Sequence, residues 1–167
     1  MTKPRTRQNP EDAAHWKALA DRLPEEGVAS LWGTDALCRE RLAAVRWPDG
    51  GRCLRCESSD IGFMEMRKAY HCRECRYQFT VLTGSILRSS KLSPQLWFEA
   101  AEEYIRWRAK HGSHNYGLHA FADTLGVAYP TAHRARKILE SDLGPGGSGL
   151  LVRCICADVE VTPRFSG

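Results

Sequence analysis

The sequence predicts a mainly α-helical chain that contains a small β zinc ribbon. Two Cys-x-x-Cys pairs, Cys53 with Cys56 and Cys72 with Cys75, are separated by fifteen residues that contain short β-type runs. On both sides of this segment apolar residues recur at three- and four-residue steps, which is typical of helices packed on one face. A glycine at position 126, between two short helical segments, predicts a helix-turn-helix.

These observations divide the 167 residues into five segments. We expect a disordered arm at 1–10, N-terminal helices at 11–49, the four-cysteine zinc ribbon at 50–84, a long helix plus the helix-turn-helix at 92–141, and a glycine-rich linker with a final strand at 142–167. Aliphatic, aromatic and cysteine residues make up 43% of the chain, so it can bury a core.

Two helices are predicted before the ribbon. Residues 11–23 begin with acidic side chains, place apolar residues near one face and are ended by Pro24 and Gly27. Thr34 is a suitable N-cap for a second helix that continues to about Arg46, where Arg-Trp-Pro-Asp-Gly-Gly predicts a turn. Cys38 lies on the apolar face of this helix, and we expect it to pack as a small apolar residue.

The ribbon combines the two cysteine pairs with predicted strands at 61–66, 69–72 and 77–82. Two residues between cysteines allow a tight knuckle to direct both sulfurs at one ion, and the hairpin returns the second knuckle to the first. Four thiolates then supply the tetrahedral shell of a structural Zn²⁺ site, with no position left for water. Because so small a ribbon buries little apolar area, zinc should supply its folding free energy, on the order of 10 kcal/mol. An iron–sulfur or redox dithiol site and ordinary core cysteines are the alternatives.

A long helix and the helix-turn-helix are predicted after the ribbon. Ser93 and Pro94 suit the start of a helix that continues to about Lys110. Shorter helices at about 117–124 and 129–141 are divided by Gly126, where such a turn commonly requires positive φ. Their expected core residues are Phe121, Leu125, Val127, Ala132 and Ala135. A plain pair of antiparallel helices from a bundle is the alternative.

Two groups of side chains are predicted to contact DNA. On the second helix, residue types that reach base edges or phosphates in the major groove are Thr131, His133, Arg134 and Lys137. On the ribbon, the predicted phosphate contacts are Lys68, Arg73 and Arg76. The charge distribution supports both groups, because residues 51–91 hold eight Lys/Arg and four Asp/Glu whereas residues 1–50 hold eight of each.

The predicted C-terminal strand, residues 150–161, would place Cys154 and Cys156 on one face. We expect a structural role for this pair, with a metal site shared with a partner chain or an exposed redox pair as alternatives. The N-terminus lacks the apolar stretch of a signal peptide, and no run is long enough to cross a membrane. The sequence therefore predicts a cytoplasmic protein whose seven cysteines stay reduced and serve metal binding before disulfides.

Three stretches within about residues 34–140 carry more specific motifs: ALCRERLAAVRWPDGGRCLRCES, YHCRECRYQFTVLTGSILRSSKLSPQLWFEA and LGVAYPTAHRARKI. The motifs are RWPDG before the first knuckle, CxxCxxxFTVxTGS from the second, and the SK…LW helix start. This sequence resembles the N-terminal half of bacterial insertion-sequence transposases in which a zinc ribbon precedes a helix-turn-helix. The resemblance implies zinc on the four cysteines and binding to double-stranded DNA; the transposases themselves bind terminal inverted repeats. It also implies association with the bacterial nucleoid.

In such transposases an RNase H-like nuclease domain follows and opens with a strand of the form VEVDETYxGG, whose aspartate binds the catalytic metal. The corresponding residues here are Val159-Glu160-Val161-Thr162, so Thr162 stands at the place of the aspartate, and a hydroxyl is a poor ligand for Mg²⁺. Asp158 and Glu160 alone do not make a two-metal nuclease.

The resemblance and this departure predict a non-catalytic, sequence-directed DNA-binding protein, a transcriptional regulator derived from a transposase. No membrane and no small-molecule substrate are expected as partners, and the sequence is compatible with a homodimer or a partner protein. The alternatives are a truncated transposase or DNA-recognition subunit of a transposition system, and a zinc-ribbon adaptor that binds protein.

Overall fold

The computed structural model of the protein describes residues 9–88, 90–112 and 117–156. Within these ranges the structure contains helices α1 (Pro10–Arg22), α2 (Val28–Leu31), α3 (Asp35–Arg46), α4 (Pro94–His111), α5 (Leu118–Leu125), α6 (Tyr129–Leu143) and α7 (Leu150–Ile155), and strands β1 (Ile61–Met64), β2 (Ala69–Cys72) and β3 (Gln78–Phe79). The predicted class, mainly helical with a small sheet, is confirmed. Of the predicted arm, residues 1–8 lie outside the described residues, and Pro10 already belongs to α1.

Side-chain caps start the helices at the predicted places. The Thr34 hydroxyl accepts the N–H of Leu37 at 3.2 Å at the start of α3, and the Ser93 hydroxyl accepts the N–H of Leu96 at 3.2 Å at the start of α4. The short helix α2 is not predicted by the sequence pattern. It depends on a tertiary contact, because the N–H of Val28 donates to Glu102 Oε2 of α4 at 2.7 Å.

Helix α4 is the centre of the helical part and contacts all six other helices. Its buried side carries Trp97, Phe98, Tyr104 and Ile105, each at most 1% exposed. The helix ends at Gly112, which adopts the left-handed conformation with φ 61°. The long amphipathic helix predicted from Ser93 therefore forms, and it is the element on which the neighbouring helices are positioned.

A buried ionic cluster joins α1, α4 and α6. The Arg108 side chain is fully buried and donates to Asp12 Oδ2 at 2.9 Å and to Glu140 Oε1, while its guanidinium lies 4.6 Å from the centre of the Trp16 ring. Tyr104 also donates its hydroxyl to Glu140. Desolvation, together with the nearby Asp12 carboxylate, raises the pKa of Glu140 to about 7. The cluster fixes the C-terminal part of α6 relative to the rest of the core.

The three strands form an antiparallel sheet in the order β1-β2-β3. Strand β1 pairs with β2 from Ile61 opposite Cys72 to Met64 opposite Ala69, so the hairpin brings the two knuckles to the same end of the sheet. The last strand is shorter than the predicted 77–82 and contains only residues 78–79.

The predicted third strand stops because threonine side chains bind the backbone. The N–H of Thr80 donates to Thr83 Oγ1 at 2.9 Å, and the N–H of Leu82 donates to Thr80 Oγ1 at 3.2 Å. These side-chain hydrogen bonds stabilise a turn at residues 80–83, where a longer strand would need backbone hydrogen bonds to its neighbour. Propensity alone therefore overestimated this strand.

Residues 150–155 differ from the prediction of a strand after the glycine-rich segment. Residues 150–155 form helix α7, and the strand prediction is wrong there. Asp142, which is 1% exposed and lies in the last turn of α6, accepts the N–H groups of Leu150 and Leu151, both at 2.8 Å. A buried carboxylate at the first turn of α7 thus overrides the strand propensity of this apolar run.

Cys154 and Cys156 are both fully buried, which contradicts an exposed redox pair. Burial raises the pKa of Cys154 to about 12, so its thiol is protonated and packs as an apolar group. The remainder of the predicted strand and the Thr162 position lie outside the described residues. Among the described helices, none combines the length and apolar character needed to cross a membrane.

Candidate metal centre and nucleic-acid interface

The two cysteine knuckles share one backbone geometry. In each, the residue after the second cysteine, Glu57 or Arg76, donates its N–H to the carbonyl of the first cysteine at 3.0 Å. The first cysteine, Cys53 or Cys72, donates its own N–H to a carbonyl five residues later at 2.9 Å. The hairpin therefore brings together two copies of the same turn.

Both knuckles place a non-glycine residue in the left-handed region, with φ 62° at Glu57 and 64° at Arg76. Such a conformation costs a residue with a Cβ about 1–2 kcal/mol, and glycine is the usual choice. These two positions could not be predicted from the sequence, because neither residue type favours positive φ. In this conformation the N–H groups of Glu57 and Arg76 remain bonded to the carbonyl of the first cysteine of their knuckle.

Backbone amides also support the sulfurs. Cys53 Sγ accepts N–H groups from Arg55 at 3.4 Å and Cys56 at 3.5 Å, and Cys72 Sγ accepts the N–H of Cys75 at 3.4 Å. Desolvation raises the pKa of Cys53, but the amide donors from Cys56 and Arg55 outweigh it and lower that pKa to about 6. The amide donors thus favour the thiolate form at Cys53, whereas desolvation and the hydrogen bonds of neighbouring thiols raise the pKa of Cys56 and of Cys75.

The four cysteine sulfurs form a single cluster. All four Sγ atoms lie within 4.8 Å of one another, with Cys53 and Cys75 at 3.5 Å and Cys56 and Cys72 at 3.5 Å. Sulfurs that surround one zinc ion at about 2.3 Å in a tetrahedron lie about 3.8 Å apart, so these residues fit the ion. In the part of the chain that the structure describes, no other group of three or more His, Cys, Asp or Glu side chains is close enough to hold a metal. The four cysteines are a zinc-binding centre with a closed shell of sulfur.

Aromatic and arginine side chains attach the ribbon to α3. The Trp47 ring, just after α3, meets Tyr70 and Phe79 of the sheet edge-on at centroid distances of 5.6 and 6.1 Å. Arg46 donates to the carbonyls of Val81 at 2.7 Å and Thr83 at 2.8 Å. Tyr70 and Phe79 therefore pack against Trp47, which joins the sheet to the end of α3.

The three predicted phosphate contacts on the ribbon differ in their surroundings. Lys68 lies 3.6 Å from Asp35 and Arg73 lies 2.8 Å from Asp60, and each of these basic side chains is more than half exposed. Exposed pairs of this kind are weak and readily exchange partners. Arg76 is exposed and forms no ion pair within the described residues. Of these three cations, Arg76 thus has the least competition for a phosphate.

Helices α5 and α6 are joined by a tight turn at Gly126. Its φ of 67° and ψ of 34° are left-handed, as the sequence predicted, and its N–H bonds to the carbonyls of Ala122 and Asp123. Of the predicted contacts, Phe121, Leu125, Ala132 and Ala135 are buried. The fifth, Val127, is partly buried against the same core.

The four predicted contact residues of α6 differ in their exposure. Arg134 and Lys137 are exposed, whereas Thr131 and His133 are half-buried. Neither Arg134 nor Lys137 forms an ion pair with a residue that the structure describes. This part of α6 therefore presents positive charge that no acidic side chain of the described chain neutralises.

A stack of aromatic rings lies beside these cations. Tyr129, which is 43% exposed, stacks on His133 at a centroid distance of 6.5 Å and an interplanar angle of 5°. The Tyr129 ring also contacts the ring of His119 in α5 at a centroid distance of 4.6 Å. Sequence reasoning selected His133 and missed Tyr129, whose four-residue spacing from His133 on one helix was the available signal.

Comparison with known families agrees with this geometry. Residues 33–78 match the family model described as the transposase zinc-ribbon domain. The matched range contains α3 and both knuckles, so the ribbon is transposase-related. Comparisons with curated proteins and with solved structures give no significant match.

Proposed function

We propose that this chain is a non-catalytic, zinc-dependent protein that binds double-stranded DNA in a sequence-directed manner, and that it regulates transcription as a derivative of a transposase. The observation that carries the proposal is the outer side of α6, where Arg134 and Lys137 are exposed without acidic partners next to a tight Gly126 turn. The match of residues 33–78 supports it, because transposase zinc ribbons generally bind nucleic acid.

In this proposal α6 enters the major groove. Thr131 and His133 face base edges, while Arg134 and Lys137 bind a guanine edge or phosphates; a good bidentate contact discriminates by about 1–3 kcal/mol. On the ribbon Arg76 binds phosphate directly, and Lys68 and Arg73 exchange their carboxylate partners for phosphates.

The zinc acts through folding in this proposal. Cys53, Cys56, Cys72 and Cys75 would hold the ion with four sulfurs, a ligand set that would leave no position for a reacting water or a substrate oxygen. The residues of the chain do the binding, and the ion holds the knuckles and the basic ribbon surface in place.

Charge reversal on α6 tests the proposal. We expect the double variant Arg134→Glu and Lys137→Glu to lose about 2–4 kcal/mol of DNA affinity, roughly 30- to 1,000-fold, because attraction to phosphate becomes repulsion. Fluorescence anisotropy with a labelled duplex at fixed salt measures the loss. The matched control reverses two exposed lysines elsewhere, Lys17→Glu and Lys110→Glu, with the same change in net charge.

Equal losses in the two double variants would show only a charge effect and would contradict a role for α6. A second candidate, a DNA-recognition subunit of a transposition system, is favoured by the family match itself. Genome-wide crosslinking separates the two, since a regulator enriches promoter sites and a transposition subunit enriches inverted repeats.

A protein-binding adaptor is a third candidate, favoured by two exposed apolar side chains on the ribbon, Leu54 at 40% and Met66 at 98%. An adaptor would retain its binding partner after reversal of Arg134 and Lys137.

A further inference from the structure

A cavity of about 80 Å³ lies between α4, the start of α6 and the segment that precedes α4. Its polar lining consists of three basic residues, two hydroxyl residues and one indole: Arg88, Lys91, Arg134, Ser90, Thr131 and Trp97. No acidic side chain lines it. The volume exceeds what a single water molecule needs.

The three cations of this cavity have no acidic partners in the structure. Arg88, Lys91 and Arg134 are exposed, and none forms an ion pair with a residue in the described ranges. Like charges that converge on one cavity repel each other unless an anion joins them. The arrangement therefore has the electrostatic character of an anion site.

The indole of Trp97 supplies an independent observation. Trp97 is 1% exposed, and its buried Nε1 has no hydrogen-bond partner among the described residues. A buried N–H without a partner is rare in folded proteins and is usually satisfied by a ligand or an ordered water. Trp97 also borders the cavity, so this N–H without a partner belongs to a side chain beside the proposed anion site.

The N-terminus of α6 adds further donors. Ala128, the N-cap of α6, provides no side-chain bond to the first turn, and Thr131 in that turn lines the cavity. Ser90 accepts the N–H of Leu92 at 3.0 Å, which leaves its own O–H able to donate. Cations, hydroxyls, an indole N–H and a helix N-terminus together match the acceptor oxygens of a phosphate.

We infer that this cavity binds a phosphate group, supplied by the DNA backbone beside α6. The inference rests on the proposed function and deepens it, because Arg88, Lys91 and Trp97 become phosphate-binding residues that precede α6 in the chain. A phosphate held by Arg134 on one side and Arg88 and Lys91 on the other would fix the register of α6 on the duplex.

Salt dependence of DNA binding is the first test. For the full-length zinc-loaded protein and a nonspecific duplex, we expect Arg88→Gln and Lys91→Gln each to weaken binding and to reduce the slope of log K against log salt concentration by up to about one, the contribution of one phosphate. Both side chains are exposed, so the fold is retained. The control is Lys17→Gln on α1, for which the slope stays unchanged.

The indole N–H gives a second, direct readout. In ¹⁵N-labelled protein the Trp97 indole signal, assigned by its loss in Trp97→Phe, should move downfield with the duplex and also with inorganic phosphate. Arg88→Gln should abolish the movement caused by inorganic phosphate. If the duplex binds but neither slope nor indole signal changes, the inference is overturned.

Two further outcomes separate the sources of phosphate. If the Trp97 indole signal moves only with inorganic phosphate, and the salt slopes of DNA binding are unchanged in the variants, the site binds a free anion. That result would overturn the DNA contact. If no duplex binds at all, the proposed function fails, and the phosphate titration alone then decides whether the anion site exists.

Discussion

At the residue scale, Arg108 shows how one buried charge organises three helices. Its guanidinium bridges Asp12 of α1 and Glu140 of α6 and lies over the Trp16 ring. The planar fork of arginine suits two carboxylates and an aromatic face at once, which a lysine ammonium does not. The predicted DNA contacts of α6 lie one to three turns before Glu140. The Arg108 cluster therefore sets the position of these side chains.

Removing the guanidinium should therefore be costly. We expect Arg108→Met to lower the free energy of unfolding by about 3–5 kcal/mol, because the Asp12 and Glu140 carboxylates lose their buried counterion. Urea denaturation followed by circular dichroism measures it. The control is Arg106→Met on the same helix, whose side chain is 46% exposed, and its effect should stay below about 1 kcal/mol. Similar losses in both variants would show that the cluster does not stabilise the fold.

At the element scale, the turn between α5 and α6 depends on backbone conformation alone. A Cβ added to Gly126 would meet no atom within 4 Å, so the only obstacle to a larger residue is its φ of 67°. The consequence can be tested with two side chains that differ in their tolerance of the left-handed region.

We expect Gly126→Ala to destabilise the protein by about 1 kcal/mol and Gly126→Asn to cost distinctly less, because asparagine tolerates positive φ. Thermal denaturation of the two variants beside the native chain provides the comparison. Equal destabilisation by alanine and asparagine would mean that the turn does not hold the left-handed conformation in solution.

The elements that sequence predicted best are those with local signals. Thr34 and Ser93 cap α3 and α4 as expected, and Gly126 takes positive φ. The errors arose where a distant or side-chain contact decides. Helix α7 depends on the buried Asp142 carboxylate, and β3 ends where Thr80 and Thr83 bind the backbone.

In the candidate site, too, the features with a local sequence signal were predicted and the others were not. The spacing of the four cysteines identified the whole zinc cluster, because ligand geometry is encoded locally. The left-handed Glu57 and Arg76 have no such local signal, and neither does the cavity beside Trp97, which forms only after α4 and α6 pack.

At the scale of the whole molecule, the ribbon and the helical core are stabilised differently. The helical core contains large buried side chains around α4, whereas the three strands contain only ten residues. The sheet relies on the zinc centre and on Trp47 and Arg46 for its position. Loss of the ion should therefore affect one part of the chain first.

We expect a zinc chelator to unfold residues 50–83 while the later helices remain at least partly formed. Hydrogen exchange with mass spectrometry should show loss of protection in β1, β2 and β3, with α4 still protected. Added zinc should restore the protection. Simultaneous loss of protection in α4 would show that the core cannot fold without the ion.

The most direct test of the account is zinc-edge X-ray absorption spectroscopy of the reduced, full-length protein, with the metal content determined on the same sample. We predict one zinc per chain and a first shell of four sulfurs at about 2.3 Å, with one sulfur lost when Cys56 is replaced by serine. A shell that contains nitrogen or oxygen in the native protein, or a zinc content far below one per chain, would contradict it.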